Sequence, residues 1–380
     1  MSAQFPPGLE SPLTFAYKHV GEEPILLDVF LPLHPERRAA GLEVLPAVPA
    51  VIYFHGGGLA VGNRRSWFPA WLQNRLSCLG YIFISADYRL VPPSTGHDIL
   101  EDVKDAFHFV SNQLNHTLDA IYLSQPSPAP HSRIRKYHVN PNALAAAGTS
   151  AGGLCAYLAA MHISPTPRAI LSLYGMGGNF LSPHYLAPKT TPFFRGRELL
   201  DPADFSAFLY PSNLALTAIS DSALAYHPQT HVIPGYPANP RMLLGRLYLQ
   251  LGVTLDYYTG RHAPSLSLSL RDSLLSPRSP SVQIDTEAIG ARDTPLFPQF
   301  GVTSGWPPTF LAHGTSDTAV PLADSHTMQA LLERAGVEVT LLAIEGAEHS
   351  FDYAPDAEAR YEREFDAMAG FLGRHLGGVR

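Results

Sequence analysis

Gly148-Thr149-Ser150-Ala151-Gly152-Gly153 decides how the rest of this chain is read. A short apolar run, Ala143 to Ala147, precedes it, and a second, Leu154 to Met161, follows. Strand, sharp turn and helix in that order turn a G-x-S-x-G match into an elbow that presents a serine as a nucleophile. The turn forces the serine backbone into a strained conformation, so small residues are needed two before and two after it. Gly148 and Gly152 meet that need. The same six residues also fit an ordinary glycine-rich turn, because short motifs recur by chance. The rest of the chain must supply what such a serine requires.

A serine hydroxyl is a poor nucleophile until a base takes its proton and a third group orients that base. Asp317 lies in His313-Gly314-Thr315-Ser316-Asp317, directly after the apolar strand pattern Thr309 to Ala312. His349 lies in Gly346-Ala347-Glu348-His349-Ser350-Phe351, just after Val337 to Ala343. Serine, acid and base therefore follow in the chain order typical of such sites, each after a predicted strand. The developing oxyanion needs hydrogen-bond donors. His55-Gly56-Gly57-Gly58 follows the strand pattern Val48 to Phe54, and its glycines let main-chain N–H groups approach a substrate closely. Gly57, Gly58 and Ala151, the residue after the serine, are the expected donors.

The alternatives to these assignments are structural. Asp317 also suits a turn or helix cap, and Glu348 or Asp352 would be a substitute acid lying in the histidine's own loop. His55 reads as a brace of the loop, His313 as a turn residue rather than the base, and Asp87 and Arg89 as forming an ion pair or hydrogen bonds beneath the glycine loop. No histidine shows a convincing metal-ligand spacing on a helix, so neither metal nor cofactor is expected.

Strand patterns at Leu13 to Val20, Ile25 to Leu31, Val48 to Phe54, Tyr81 to Ala86 and Ala169 to Tyr174 alternate with helical spacing at Asp98 to Leu114 and after Ser150. A Pro- and Ser-rich loop is expected over Ser124 to Val139. Near the end, Leu322 to Ala335 reads as a helix, and Ala357 to His375 as an amphipathic helix capped by Asp356. Such alternation argues for an α/β sheet with helices on both faces. Residues 175–305 break the pattern; their clearest element is one helix-like segment, Arg241 to Thr259. A stretch that long is no plain loop, so it reads as an inserted cap dividing a core of residues 1–174 and 306–380. Its aromatics, Phe193, Phe194, Phe205, Phe208, Tyr210, Tyr257 and Tyr258, serve either the substrate or the cap's own core.

Composition narrows the class. The 380 residues carry 16% charged and 46% apolar side chains, with a net charge of −7, which suits a globular protein and argues against a nucleic-acid partner. Met1 to Leu13 lacks the pattern of a secretory signal, and no apolar run is long enough for a membrane span. Cys78 and Cys155 read as buried free thiols. A cytoplasmic protein acting on a small molecule is expected, its oligomeric state open, a dimer included.

His55-Gly56-Gly57-Gly58, Asp87-Tyr88-Arg89-Leu90 and Gly148 to Gly153 together resemble the α/β-hydrolase superfamily, within it the hormone-sensitive-lipase-like esterases. The resemblance implies an eight-stranded, mostly parallel sheet and a serine carboxylester hydrolase with Ser150, Asp317 and His349 as its triad. The three-glycine loop resembles that of esterases accepting bulky alcohol groups, and the aromatics of residues 175–305 suggest a medium-sized apolar or aromatic substrate. Two departures stand out: Thr149 occupies a position where many of those esterases carry Asp, and the acid loop His313 to Pro321 looks more like that of peptidase- and feruloyl-esterase-type relatives. The same scaffold also supports acyl transfer, condensation, dehydration or cyclisation in a natural-product pathway when water is excluded. A non-catalytic ligand-binding protein is the third class, disfavoured by the presence of His349.

Overall fold

The structure, a computed structural model, describes residues 11–32, 45, 47–124, 136–275 and 286–377. Eight strands form one sheet: β1 (Leu13–Val20), β2 (Glu23–Phe30), β3 (Ala47–Phe54), β4 (Ile82–Ala86), β5 (His138–Thr149), β6 (Ile170–Leu173), β7 (Thr309–Gly314) and β8 (Val339–Ile344). Their order across the sheet is β1-β2-β4-β3-β5-β6-β7-β8. β2 runs antiparallel to β1 and to β4, and every other pair is parallel. This is the mostly parallel eight-stranded α/β sheet that the sequence implied.

Helices cover both faces, as continuous apolar strands require. β3 shows why. Its residues alternate, so Ala50, Ile52 and Phe54 enter one core while Val51 and Tyr53 enter the other. The first core is closed by α2 (Gly96–Asn112) and α4 (Ala151–His162), with α3 (Leu114–Ser124) beside them. The second is closed by α1 (Ala70–Cys78), whose Trp71 stacks on Phe365, and by the C-terminal helix of the chain. Residues 175–305 lie between β6 and β7. They carry α5 (Pro183–Leu186), α6 (Arg241–Leu251), α7 (Thr254–Thr259), α8 (Leu266–Leu275), α9 (Thr286–Ile289) and α10 (Pro298–Gly301), and, among the described residues, no strand of the sheet. α11 (Leu322–Arg334), α12 (Ala357–Arg360) and α13 (Glu362–Leu376) complete the chain.

Several expectations need correcting. The helix expected over Arg241 to Thr259 is two helices, because Gly252 adopts a left-handed conformation that ends α6. The terminal helix breaks at Tyr361, and Asp356 makes no side-chain cap. α2 begins earlier than Asp98, since the Asp98 carboxylate accepts the Thr95 N–H at 2.8 Å and closes a capping box one turn upstream. Cys78 is exposed rather than buried, whereas Cys155 is buried. Of the loop expected over Ser124 to Val139, residues 125–135 lie outside the described residues, and β5 already begins at His138. No helix among the described residues is long and apolar enough to cross a membrane.

Candidate active site

β5 ends at Thr149 and α4 starts at Ala151, so Ser150 alone makes the turn, with φ 55° and ψ −117°. The small neighbours are a steric necessity. A Cβ on Gly148 would stand 2.1 Å from the Gly152 carbonyl oxygen, and one on Gly152 would stand 1.9 Å from that of Phe54. The elbow is thus wedged against the end of β3, where the glycine loop begins.

The separated sequence motifs meet here. His349 Nε2 lies 3.0 Å from Ser150 Oγ, and His349 Nδ1 lies 2.7 Å from Asp317 Oδ2. Asp317 Oδ1 accepts the N–H groups of Ala319 and Val320 at 2.8 and 2.9 Å. Burial works against the Asp317 carboxylate, but hydrogen bonds from His313 and His349 outweigh it and hold the group below the usual carboxylate range. An ionised carboxylate only accepts. The proton of the pair therefore sits on His349 Nδ1, leaving Nε2 to accept the serine hydroxyl.

Neither substitute acid orients the histidine ring. Glu348 accepts from Thr318 N–H at 2.8 Å, from Thr318 Oγ1 at 2.9 Å and from the His349 N–H at 2.8 Å, and so staples the two loops together. Asp352 accepts from Tyr174 Oη at 2.5 Å and Trp71 Nε1 at 3.2 Å, and the Tyr174 ring meets the His349 ring edge-on. Burial raises the Asp352 carboxyl to about 6. The polar flanks of His349 were visible in the sequence; their partners were not.

The glycine loop stacks its own brace. His55 is buried against Tyr88, whose Oη donates to the His55 carbonyl at 2.8 Å. Burial lowers the imidazole to about 4. Gly57 and Gly58 have φ of 114° and 60°, and their N–H groups have no acceptor among the described residues. Ala151 is the first residue of α4, where helix geometry leaves N–H groups unpaired. His313 is buried, its ring nitrogens 2.7 Å from Ser325 Oγ and 2.9 Å from the Val320 carbonyl. Asp87 and Arg89 both make structural hydrogen bonds, but not with each other among the described residues. Asp87 binds Arg64, through N–H at 2.5 Å and Nη1 at 2.7 Å, while Arg89 forks onto Asp102 and Asp98 at the start of α2. Thr149 is held by neutral hydroxyls, Tyr53 Oη at 2.8 Å and Tyr353 Oη at 3.4 Å.

Ser150, His349 and the glycine loop open into a cavity of about 300 Å³. Residues 175–305 supply its far wall. Of the seven aromatics the sequence singled out, Phe194, Tyr257 and Tyr258 line the cavity and Phe193, Phe205, Phe208 and Tyr210 do not, while Tyr185, Tyr226 and Tyr248 of the same segment line it as well. The segment is tied to the core through Gly62 and Ser222, which exchange backbone hydrogen bonds at 2.9 and 3.0 Å.

A sequence profile of the alpha/beta hydrolase fold matches residues 51–216, and one of the prolyl oligopeptidase family matches residues 295–379. The chain has the α/β-hydrolase fold. The second match covers the acid and histidine loops, in keeping with an acid loop of peptidase-like pattern. A probable carboxylesterase M8 from Phoma sp. is 29% identical over 42% of this chain and 46% of its own length. The non-reducing polyketide synthase mapC' of Penicillium brevicompactum is 26% identical over 86% of this chain and 14% of its own length. The chain thus spans less than half the length of the curated relatives described here. Among solved structures, an esterase from Thermogutta terrifontis superposes with a TM-score of 0.54 at 18% identity, covering 98% of this chain and 95% of that one.

Proposed function

We propose that this α/β-hydrolase is a serine carboxylester hydrolase whose triad is Ser150, His349 and Asp317. The observation that carries the reading is the hydrogen-bonded series from Asp317 through His349 to Ser150, opening into a cavity roofed by unpaired glycine N–H groups. His349 Nε2 takes the Ser150 proton as Oγ attacks the ester carbonyl. Asp317 stabilises the imidazolium, which then protonates the leaving alcohol. Gly57, Gly58 and Ala151 N–H groups receive the oxyanion, and each such donor is worth about 10²–10³-fold in rate. Water, activated by the same histidine, releases the acid. Residues 175–305 act as a cap that shapes substrate access, and the tyrosines and leucines it contributes favour an aromatic or bulky ester.

A second reading has its own support. The match to polyketide synthases extends over most of this chain, cap segment included. It favours an acyl-enzyme at Ser150 that is resolved by a nucleophile other than water, in acyl transfer or cyclisation. Short-chain p-nitrophenyl esters and a fluorophosphonate probe separate the readings. The hydrolase labels at Ser150 and turns over esters, and Ser150→Ala lowers turnover by about 10⁴-fold or more while the fold is kept. Labelling with negligible ester turnover favours the transferase. A folded wild-type protein without Ser150-dependent labelling sinks both.

A further inference from the structure

The cavity that opens at Ser150 is also lined by Arg195, Arg197 and Arg246, and none of its lining residues is a carboxylate. That is a concentrated positive surface in a chain of net charge −7. The three guanidiniums are not equivalent. Arg195 donates to the His349 carbonyl and lies 3.9 Å from Glu348, so it is already engaged. Arg246 on α6 is 6% exposed, and its Nε has no acceptor among the described residues. Its side-chain partner is the Tyr236 hydroxyl, and Arg197 stands close enough for the two charges to repel. Arg197 makes no ion pair among the described residues.

Arg241, earlier on the same helix, shows what a structural arginine looks like here. It too is buried without a carboxylate, yet its guanidinium donates to the carbonyls of Ala60, Val91 and Pro92 at 3.1, 3.4 and 2.5 Å and lies over the Phe208 ring. Arg246 has no such set of carbonyls among the described residues. Guanidinium does not shed its charge, and leaving one buried beside a second without a counter-ion is costly. An arginine kept there needs a partner that arrives from the cavity.

We propose that Arg246 and Arg197 form an anion subsite, so that the substrate carries an oxyacid group, a carboxylate or a phosphate ester, at the end remote from its scissile carbonyl. The inference rests on the ester-hydrolase reading for the position of that carbonyl at Ser150. Leu243, Tyr248 and Tyr257, which line the same cavity, offer an apolar, aromatic surface for a spacer. The planar fork of each arginine matches two oxygens of either anion.

Calorimetric titration of the full chain with 4-phenylbutyrate, 3-phenylpropyl phosphate and the neutral 4-phenylbutyramide tests the subsite without needing turnover. One of the anions should bind at least about tenfold more tightly than the amide, the value of a single charge-assisted contact, and the tighter one identifies the group. In Arg197→Gln and Arg246→Met the preference should fall below about threefold; the exposed Arg197 decides the matter where the buried replacement does not fold. Equal binding of amide and anions, binding of none of them, or a preference that survives in Arg197→Gln overturns the proposal. Turnover of p-nitrophenyl butyrate in the same wild-type preparation keeps the two claims apart. Anion preference without turnover counts against the hydrolase alone, and turnover without anion preference counts against the subsite alone.

Discussion

The sheet side of the site and the 175–305 side are built under different constraints. On the sheet side, Ser150, Asp317 and His349 stand on loops that follow β5, β7 and β8, and backbone meets backbone with no room for a methyl group. On the other side, α6 faces the glycine loop across an ordinary van der Waals gap: a Cβ on Gly245 would lie 3.5 Å from Gly58 Cα. Through steric necessity, one region fixes the atoms proposed to react. The other places charge and apolar surface with tolerance, which suits it to set what is bound rather than how it reacts.

Gly152→Ala is the most severe way to test that contrast. The added Cβ meets the Phe54 carbonyl oxygen at 1.9 Å and that of His55 at 2.8 Å, both backbone atoms at the end of β3. Neither moves without breaking the sheet, so the variant should lose about 4 kcal/mol or more of stability, or fail to fold. Urea unfolding that matches wild type would show that the elbow is not wedged in this way.

The same contrast explains what the sequence revealed. The fold and the Ser150, Asp317 and His349 positions were legible because strands buried on both faces read as apolar runs, and the loops after them carry Gly, Asp and His in a recognisable order. Residues 175–305 were not legible beyond one helix pattern. Their positions depend on tertiary anchors such as Arg241 and Ser222, which local periodicity does not encode. The Gly252 break within that pattern was a single residue, readable as a helix end only once the following turn is seen. The pairing of Asp87 with Arg64, not Arg89, escaped for the same reason: the sequence neighbour lost to a residue brought in by the loop after β3.

Between the two regions, the His349 loop is held largely from the sheet side, and Asp352 supplies a pH readout of that hold. Its carboxyl is raised to about 6 from 3.8 by burial, although Tyr174 and Trp71 donate to it. Between those two values the folded chain binds more protons than the unfolded chain, so stability from this group falls as pH rises through the window and is level above it. Asp352→Asn does not titrate. The stability of wild type relative to this variant should therefore decrease from pH 4 to pH 7, by about 3 kcal/mol at most. Asp87 and Asp324, raised by burial to about 7 and about 6, titrate in both proteins and cancel in the difference. A flat difference across that range in urea melts would remove the buried carboxyl from the account.

Glu348 and Arg195 compare the two regions at one loop. Glu348→Gln loses the charge that bonds Thr318 and the His349 N–H, and kcat should fall about tenfold with KM little changed. Arg195→Gln removes the bond from the 175–305 side to the His349 carbonyl. That side chain is more exposed, so the expected loss in kcat is about twofold. The reverse order in steady-state kinetics would mean that the segment, rather than the Asp317 loop, positions His349, the proposed base.

Gly245→Ala carries the smallest stability change and the clearest separation of roles. Gly245 lies inside α6, where Ala is the better helix former by about 1 kcal/mol or less. Its new methyl would touch Gly58 Cα at 3.5 Å and the Gly58 carbonyl oxygen at 3.7 Å, distances that need no backbone movement. The variant should therefore melt at or slightly above the wild-type temperature, the opposite of Gly152→Ala. The methyl nevertheless enters the space between α6 and the loop proposed to receive the oxyanion. Turnover of bulky aromatic p-nitrophenyl esters should drop more than that of the acetate, because the larger acyl group competes for that space. If both esters slow equally, the methyl has displaced the Gly57 and Gly58 N–H groups. In that case the two sides of the cavity are coupled more tightly than the ordinary contact between them implies.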